Sequence, residues 1–473
     1  MLPVELLRHI FSFAIGDTEC LDTFSYQRDG QERYKLETVA GRKEIETKRA
    51  LLLVSSTFHT IVEEFAWSWI SISSLSRLFQ IDSILRQSGE YYRQHPAHSF
   101  RRRRPARWIQ RIDLKLNVNH AEDEKTVRKL MNILTSCPNL KVFIVDIIPW
   151  ASYCWQMSNL LTGALISLTK LRRLEFIGCK GPTMKALMDL IPHLQNLEQL
   201  DTGRMEESKA EVRRVLQDAG IREGHTRVRS EEKQDGKSAR GRRISLPNLY
   251  ALKISSRAQS SWLTLFNHIC LPSLTHLTIH HVDFKVPAIQ TLFHSVGSQL
   301  THLYTIGVWD YDGSGGFITL LSFCQNLQHL TFSPHYSCHQ YGEPWRHSTL
   351  QSIGLQYLVK STAYQEEDGL GDEIRFTITQ ITTHIVKSRT TGVLPMMTTI
   401  RVEDRDPEIL KHAWIPEAEW DILSQSHDLR LEDVNGKELL TRGPEMALES
   451  KTASDPSHHP TQSSSEGSPG QPV

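Results

Sequence analysis

The sequence predicts an α/β fold: a solenoid of short strands alternating with helices, preceded by a small helical docking module. Three observations predict it. A pattern L-x-x-L-x-(apolar) recurs at a period near 26 residues. The intervals carry apolar residues at i, i+3, i+4 and i+7, the spacing of one buried helix face. A compact amphipathic helix stands outside the period, at residues 2–14.

The pattern appears as WIQRIDL, PNLKVFIV, TKLRRLEF, QNLEQLDT, PNLYALKI, PSLTHLTI, SQLTHLYT, QNLQHLTF, STLQSIGL and a weaker PMMTTIRV. Its first anchors are Ile109, Leu140, Leu171, Leu197, Leu249, Leu274, Leu300, Leu327, Leu350 and Met397. They are separated by 31, 31, 26, 52, 25, 26, 27, 23 and 47 residues. Two intervals are about double the rest, so an insertion is expected between 197 and 249 and a degenerate repeat between 350 and 397. Val127, Leu130, Met131 and Leu134 predict one helix of the outer layer. Met184, Leu187, Met188 and Ile191 predict another, and Phe317, Leu320, Leu321 and Cys324 a third. An α/β domain with irregular Leu spacing is the competing reading; five intervals between 23 and 27 favour the repeat.

Composition narrows the function. The chain of 473 residues has 54 Lys plus Arg and 54 Asp plus Glu, so no net field selects nucleic acid or a membrane surface. Nucleic acid is therefore not an expected partner. No apolar run approaches the ~18 residues that span a bilayer. Seven cysteines lie scattered without C-x-x-C spacing, an odd number that reads as reduced thiols of the cytoplasm or nucleus. The segment starting Met-Leu-Pro-Val-Glu has neither a basic nor an apolar region of a signal peptide.

Over about Trp108 to Glu403 the sequence resembles the leucine-rich repeat family. The resemblance implies a horseshoe with strands inside and helices outside. It departs from the family's strongest copies in lacking the Asn or Cys shortly after the third anchor, with Cys179 the nearest approach. Looser turns are therefore expected.

Near the start, Pro3 suits a first helical turn, and Leu6, Leu7, Ile10, Phe11 and Ala14 form a wide apolar stripe. Leu51, Val54, Phe58, Ile61, Val62, Phe65 and Trp69 keep helical spacing further on. LPVELLRHIFSFA followed by LLLVSSTFHTIVEEFAWSWISI resembles an F-box of the diverged fungal type. Leu2, Pro3, Glu5, Leu6, Leu7, Ile10 and Phe11 match its first element. Leu51, Val54, Ser55 and Phe58 match its second, and Trp67 or Trp69 its third. A polar insert at about 16–48 stands where the family has a tight connector.

An F-box followed by leucine-rich repeats implies the substrate receptor of an SCF-type cullin ubiquitin ligase. The resemblance then assigns Leu2, Pro3, Leu6, Leu7, Ile10, Phe11, Leu51, Val54 and Phe58 to a Skp-type adaptor of the cullin complex. The repeats would hold an unidentified protein substrate. A leucine-rich scaffold with no ligase link is the alternative, its first helices then being a plain capping hairpin.

The expected divisions are a docking module over 1–75, a basic linker over 76–107 and the solenoid over 108–404, interrupted by an insertion at 205–244. A C-terminal cap over 405–442 and a disordered tail over 443–473 follow. Seven arginines fall between Arg93 and Arg111 without an acid, which reads as an import signal, a phosphate-contacting patch or a solvated linker. Residues 222–243 carry eight basic and four acidic residues with no aromatic, as a solvated loop does.

No G-x-S-x-G, H-E-x-x-H, G-x-x-x-x-G-K-[ST] or G-x-G-x-x-G occurs, so no enzyme activity and no cofactor are expected. Asp310–Gly316 lacks the third acid and distal Glu of a calcium loop. His335, Cys338, His339 and His347 are dense, but their spacing fits no standard zinc finger, so no metal is expected.

Strand alternation locates the partner surface. Positions 3 and 5 of the repeat should face the concave side: His276 and Thr278, His302 and Tyr304, His329 and Thr331. A ladder of imidazoles flanked by hydroxyls is expected there, with Tyr304 as anchor and binding sensitive to mildly acidic pH. Earlier repeats offer Arg111 and Asp113, Arg173 and Glu175, Gln199 and Asp201, read as a solvated mixed-charge surface.

Overall fold

The computed structural model describes residues 3–15, 46–94, 105–116, 124–146, 161–177, 181–205, 214–215, 217–218, 244–256, 259–280, 286–306, 321–333, 345–356, 370–403, 429–433 and 436. Leu2, most of the 16–48 insert, Arg101–Arg104, Asp310–Gly316, His335, Cys338 and His339 lie outside them, as do most of 205–244, most of 405–442, and the tail.

The strands are β1 (Trp69–Ile72), β2 (Arg111–Leu114), β3 (Val142–Val145), β4 (Arg173–Phe176), β5 (Gln199–Met205), β6 (Ile244–Ser245) and β7 (Ala251–Ser256). They continue as β8 (Ile269–Cys270), β9 (His276–His280), β10 (His302–Ile306), β11 (His329–Phe332), β12 (Ser352–Leu355), β13 (Thr399–Val402) and β14 (Arg430–Asp433). All but β6 and β8 form one twelve-stranded parallel sheet in chain order; β6 and β8 pair separately. The longer helices among the described residues are α1 (Val4–Ile15), α2 (Ser56–Ser68), α3 (Leu75–Gln94), α4 (Glu124–Ser136), α5 (Met184–Leu190), α6 (Gln259–Asn267), α7 (Pro287–Val296) and α8 (Leu370–Thr390). This is a parallel α/β architecture, consistent with a repeat solenoid.

The ten anchors explain the order. Each stands two residues before a strand of the main sheet, and all ten are 0 or 1% exposed. The second Leu of each pattern falls in one register row, from Ile112 through Phe143, Leu200 and Leu303 to Ile400. That row packs with Val127, Leu130, Ile133, Leu187 and Leu292 of the helices into one continuous core. The two long intervals hold no missed strand of the main sheet, because β5 pairs directly with β7 and β12 with β13. Much of the second interval is α8, whose Ile381, Ile385 and Val386 enter the core.

The turns are tied by residues that the sequence reading overlooked. Immediately before the Leu anchors, Asn139, Asn196, Asn248 and Asn326 donate through Nδ2 to Arg107, Thr169, Gln195 and Ser298 carbonyls of the preceding repeat, at 2.7, 2.7, 2.9 and 2.6 Å. Ser273 and Thr349 do the same with hydroxyls, at 2.5 and 3.0 Å. Each bond satisfies a carbonyl of the turn that leads into the preceding strand. These bonds tie the turn before each strand; the turns after the strands, where looseness was expected, lie largely outside the described residues. At Gly203, with φ 64°, β5 bulges between Asp201 and Arg204. Gly181 passes that bulge so closely that a Cβ would stand 1.7 Å from the Thr202 carbonyl oxygen.

Three boundaries differ from the expected ones. Trp69–Ile72 belongs to the sheet rather than to the helical module, pairing with β2 from Trp69–Arg111 to Ile72–Leu114. Residues 75–94 are not a linker but α3, whose Leu78, Ile81 and Leu85 enter the main core. The expected cap contains a twelfth strand, β14, paired with β13.

The N-terminal helices have their own small core of Leu7, Phe11, Ile61 and Val62, supported by Leu51, Leu52, Phe58 and Phe65. Residues 46–52 are helical, and Ser55 caps α2 by accepting the Phe58 N–H. α2 runs into β1 without an intervening residue. Trp67 packs on the main core, the Ser68 carbonyl accepts Gln110 N–H at 2.9 Å, and buried Lys48 donates to Ser68 Oγ at 3.4 Å.

Candidate functional site

Two surfaces concentrate the residues singled out from sequence. The first is on the N-terminal helices, where the apolar stripe of α1 divides. Leu7 and Phe11 face inward, Phe11 meeting Phe58 edge-on with centroids 4.8 Å apart. Leu6 and Ile10 face solvent at 44 and 43% exposure, as do Val4, Leu53 and Val54. Leu7 and Phe11, expected to face a partner, are instead buried between the helices, while Leu51 and Phe58 are half-buried against them. The stripe is wide because it serves two sides at once. Pro3 is exposed, and Arg8 pairs with Glu64 at 3.5 Å across the helices.

The second surface is the sheet face opposite the main core. At one register position stand Arg111, Val142, Arg173, Gln199, Ala251, His276, His302, His329, Ser352 and Thr399, side by side. The expected imidazole ladder is present. His276 and His302 stack at 4.0 Å between centroids and 11° between planes; His302 and His329 are 4.3 Å apart and tilted by 31°. The difference has a sequence cause. His276 and His302 follow threonines, and each Nδ1 meets the hydroxyl of Thr275 or Thr301, at 2.8 and 3.0 Å. Gln328 precedes His329, whose Nδ1 instead turns to Ser352 Oγ on the next strand, at 2.6 Å.

Beside them, Thr278 is buried while Tyr304 and Thr331 are half-buried. Tyr304 OH donates to Gln356 Oε1 at 2.8 Å, bridging over β11. At the next position β12 has Gly354, where a Cβ would stand 2.4 Å from Thr331 Oγ1 and 2.9 Å from Glu403 Cγ. The result is a cleft of about 150 Å³ between Tyr304, His329, Ser352, Gly354 and Arg401. Arg401 Nη2 donates to Glu432 at 3.0 Å.

Burial decides the charge state of the ladder. It pushes His276 down to about 4 and His302 to about 3, with the neighbouring imidazoles adding to the effect. His329 is lowered by burial and then by Arg401. Burial therefore works against a switch in mildly acidic solution, most of all at His276 and His302. Linkage gives the consequence. Unfolded histidine binds a proton near ~6.5, whereas the folded ladder resists protonation to a lower pH, so the unfolded state holds more protons in between. Stability from these groups is complete above ~6.5 and is lost as pH falls from there toward about 4. The urea midpoint is expected to fall between pH 7.5 and 5, and to fall less in His302→Asn. An equal fall in both proteins would assign the acid sensitivity elsewhere.

The other half of this face departs furthest from the sequence reading. Arg111 and Arg173 are buried, not solvated. Arg111 Nε and Nη2 clasp Asp113 at 2.8 and 3.1 Å, Trp69 Nε1 donates to the same carboxylate, and the guanidinium lies 4.4 Å over the Trp69 ring. Arg173 clasps Glu175 in the same two-pronged way, at 2.7 and 2.9 Å. Asp201 is held by Lys253 at 3.1 Å and by the Gly203 N–H, although burial still raises its carboxyl. Val142, Ile144 and Ile177 add a second apolar cluster there. Alternation alone could place these residues on the face; it could not say that the face is covered.

The remaining candidates resolve simply. His347 is buried and its Nε2 donates to the Cys324 carbonyl at 2.7 Å. Cys137 and Cys324 are buried thiols pushed up to about 12 by burial, whereas Cys270 is exposed. Among the described residues no helix is long and apolar enough to cross a membrane.

No protein-family model matches the chain, and no curated protein matches it. Among solved structures it is similar to the crystal structure of a Bacteroides fragilis protein, with 10% identity over 72% of this chain and 70% of that one, at a TM-score of 0.31. That likeness is too slight to extend to fold or function.

Proposed function

We propose that the chain is a diverged F-box protein with leucine-rich repeats, the substrate receptor of an SCF-type cullin ubiquitin ligase. In this reading α1 and the turn before α2 dock a Skp-type adaptor. The twelve-stranded sheet is the inner face of a leucine-rich horseshoe, and its β9–β13 region holds the protein to be ubiquitylated. The chain itself is a binding subunit rather than an enzyme.

The observation that carries the reading is the divided stripe of α1. Leu7 and Phe11 already close the helix pair, yet Val4, Leu6 and Ile10 stay exposed with Leu53 and Val54. Large apolar side chains left outside a completed core are a feature of surfaces that meet another protein. Of these, Leu6, Ile10 and Val54 are positions that the F-box resemblance assigns to the adaptor, and Val4 and Leu53 are their exposed neighbours.

Co-expression with a Skp-type adaptor tests this. The double variant Leu6→Glu, Ile10→Glu is expected to lose adaptor co-purification by at least about tenfold, since two central apolar contacts are replaced by charge. Its circular dichroism and thermal midpoint should stay near those of the parent, because both side chains are outside the core. Undiminished co-purification by a folded double variant would leave the scaffold without a ligase link.

A further inference from the structure

The imidazole stack stops one place short of the cleft. Along one register position the side chains run His276, His302, His329, then Ser352 and Thr399. The three rings are spaced at 4.0 and 4.3 Å. At β12 the ring gives way to a hydroxymethyl group, and the neighbouring position is Gly354, with Glu403 folded across it. Among the described residues no ring covers the β12 side of His329.

The space left has the dimensions of one ring. From β11 to β13 is two strand spacings, ~9.6 Å, which admits a flat group ~3.5 Å thick with ordinary contact on both sides. The cleft of about 150 Å³ is of the size at which a protein cavity accepts benzene. Its far wall is Arg401, whose Nη2 is held by Glu432 while its Nε is buried without a hydrogen-bond partner. An aromatic face stacked beside the exposed part of that guanidinium would gain a cation–π contact.

Other occupants fit less well. Parallel stacked imidazoles point their nitrogen lone pairs alongside one another instead of toward one point, so they cannot share a metal ion. An anion would find Arg401 already accompanied by Glu432 and Glu403. An aliphatic side chain would fill the volume but leave the His329 ring face and the Arg401 guanidinium without a matching partner.

We propose that the cleft takes one aromatic side chain from an extended segment of the target, standing over Ser352 as the fourth member of the stack between His329 and Arg401. This rests on reading the β9–β13 face as the target-holding surface, and is independent of adaptor docking.

A peptide library with randomised positions, displayed on phage and selected on the immobilised full chain, tests it. Enriched peptides are expected to share one tyrosine, phenylalanine or tryptophan. Affinity for a synthetic copy should fall at least about tenfold in Ser352→Phe, which fills the slot from within, and severalfold in Arg401→Gln. N-acetyl-tyrosinamide should compete in the parent protein and N-acetyl-leucinamide should not. If Ser352→Phe fails to fold, Arg401→Gln and the competition pair decide. An acidic or aliphatic consensus, no enrichment, or unchanged binding by the folded variants overturns the proposal. Leu6→Glu, Ile10→Glu should bind the peptides normally, so loss of the adaptor and loss of the slot are read separately.

Discussion

Replacing Arg111 with alanine is expected to destabilise the protein by roughly 3–5 kcal/mol, the cost of stranding one partner of a buried ion pair. Arg111 is 0% exposed and Asp113 1%, and the two-pronged contact between them is joined by the Trp69 indole N–H and ring. Removing the guanidinium leaves a carboxylate in a site with little water, accompanied only by that indole donor and contacts outside this group. The size of the loss reports on the stranded charge rather than on the pair itself. A double variant, Arg111→Met with Asp113→Leu, is therefore expected to recover most of it, since apolar replacement of a buried pair is commonly neutral or better. Urea denaturation of the three proteins measures both quantities. A single variant within about 1 kcal/mol of the parent would mean that water reaches Asp113.

The second large effect is expected at an anchor. Leu300 is 0% exposed, between β9 and β10 in the middle of the sheet. Leu300→Ala should cost ~2–5 kcal/mol, the transfer free energy of the lost atoms plus the cavity they leave. Its distribution along the chain is as informative as its size. In a repeat architecture each unit leans mainly on its two neighbours. Amide exchange should therefore accelerate most in β9, β10 and β11 and least in β2 and β3. Uniform acceleration across all twelve strands would show a fully cooperative unit instead.

Much of this architecture could be read directly from residues. An apolar anchor two positions before ten of the twelve strands, Leu in eight of them, marks where the chain turns inward. β1 and β14 escaped because their neighbours disguised them. WISI sits at the end of a helix, where Trp67 and Trp69 suggested a different motif, while LRLED alternates only over five residues amid charge. The histidine ladder followed from strand alternation, since a residue two after an anchor must share a face with its counterparts. Its neutrality did not follow, because burial depends on what lies over the sheet. The division of the α1 stripe was equally hidden: Leu6 and Leu7 are adjacent and chemically alike, and only the position of α2 decides which points inward.

The junction between α2 and β1 has a mechanical consequence. With Ser68 bonded to Gln110 and Trp67 packed against the main core, α2 continues into the first strand without an intervening residue. On the proposed reading, adaptor and target are then attached to one rigid ruler whose graduations are strands. From β1 to β10 there are seven steps in the sheet, or ~34 Å at ~4.8 Å each. Adding or deleting one repeat would move a target bound at β10 by one graduation, without altering either binding surface. Reach toward a lysine on the target would thus be tuned by repeat number, independently of affinity.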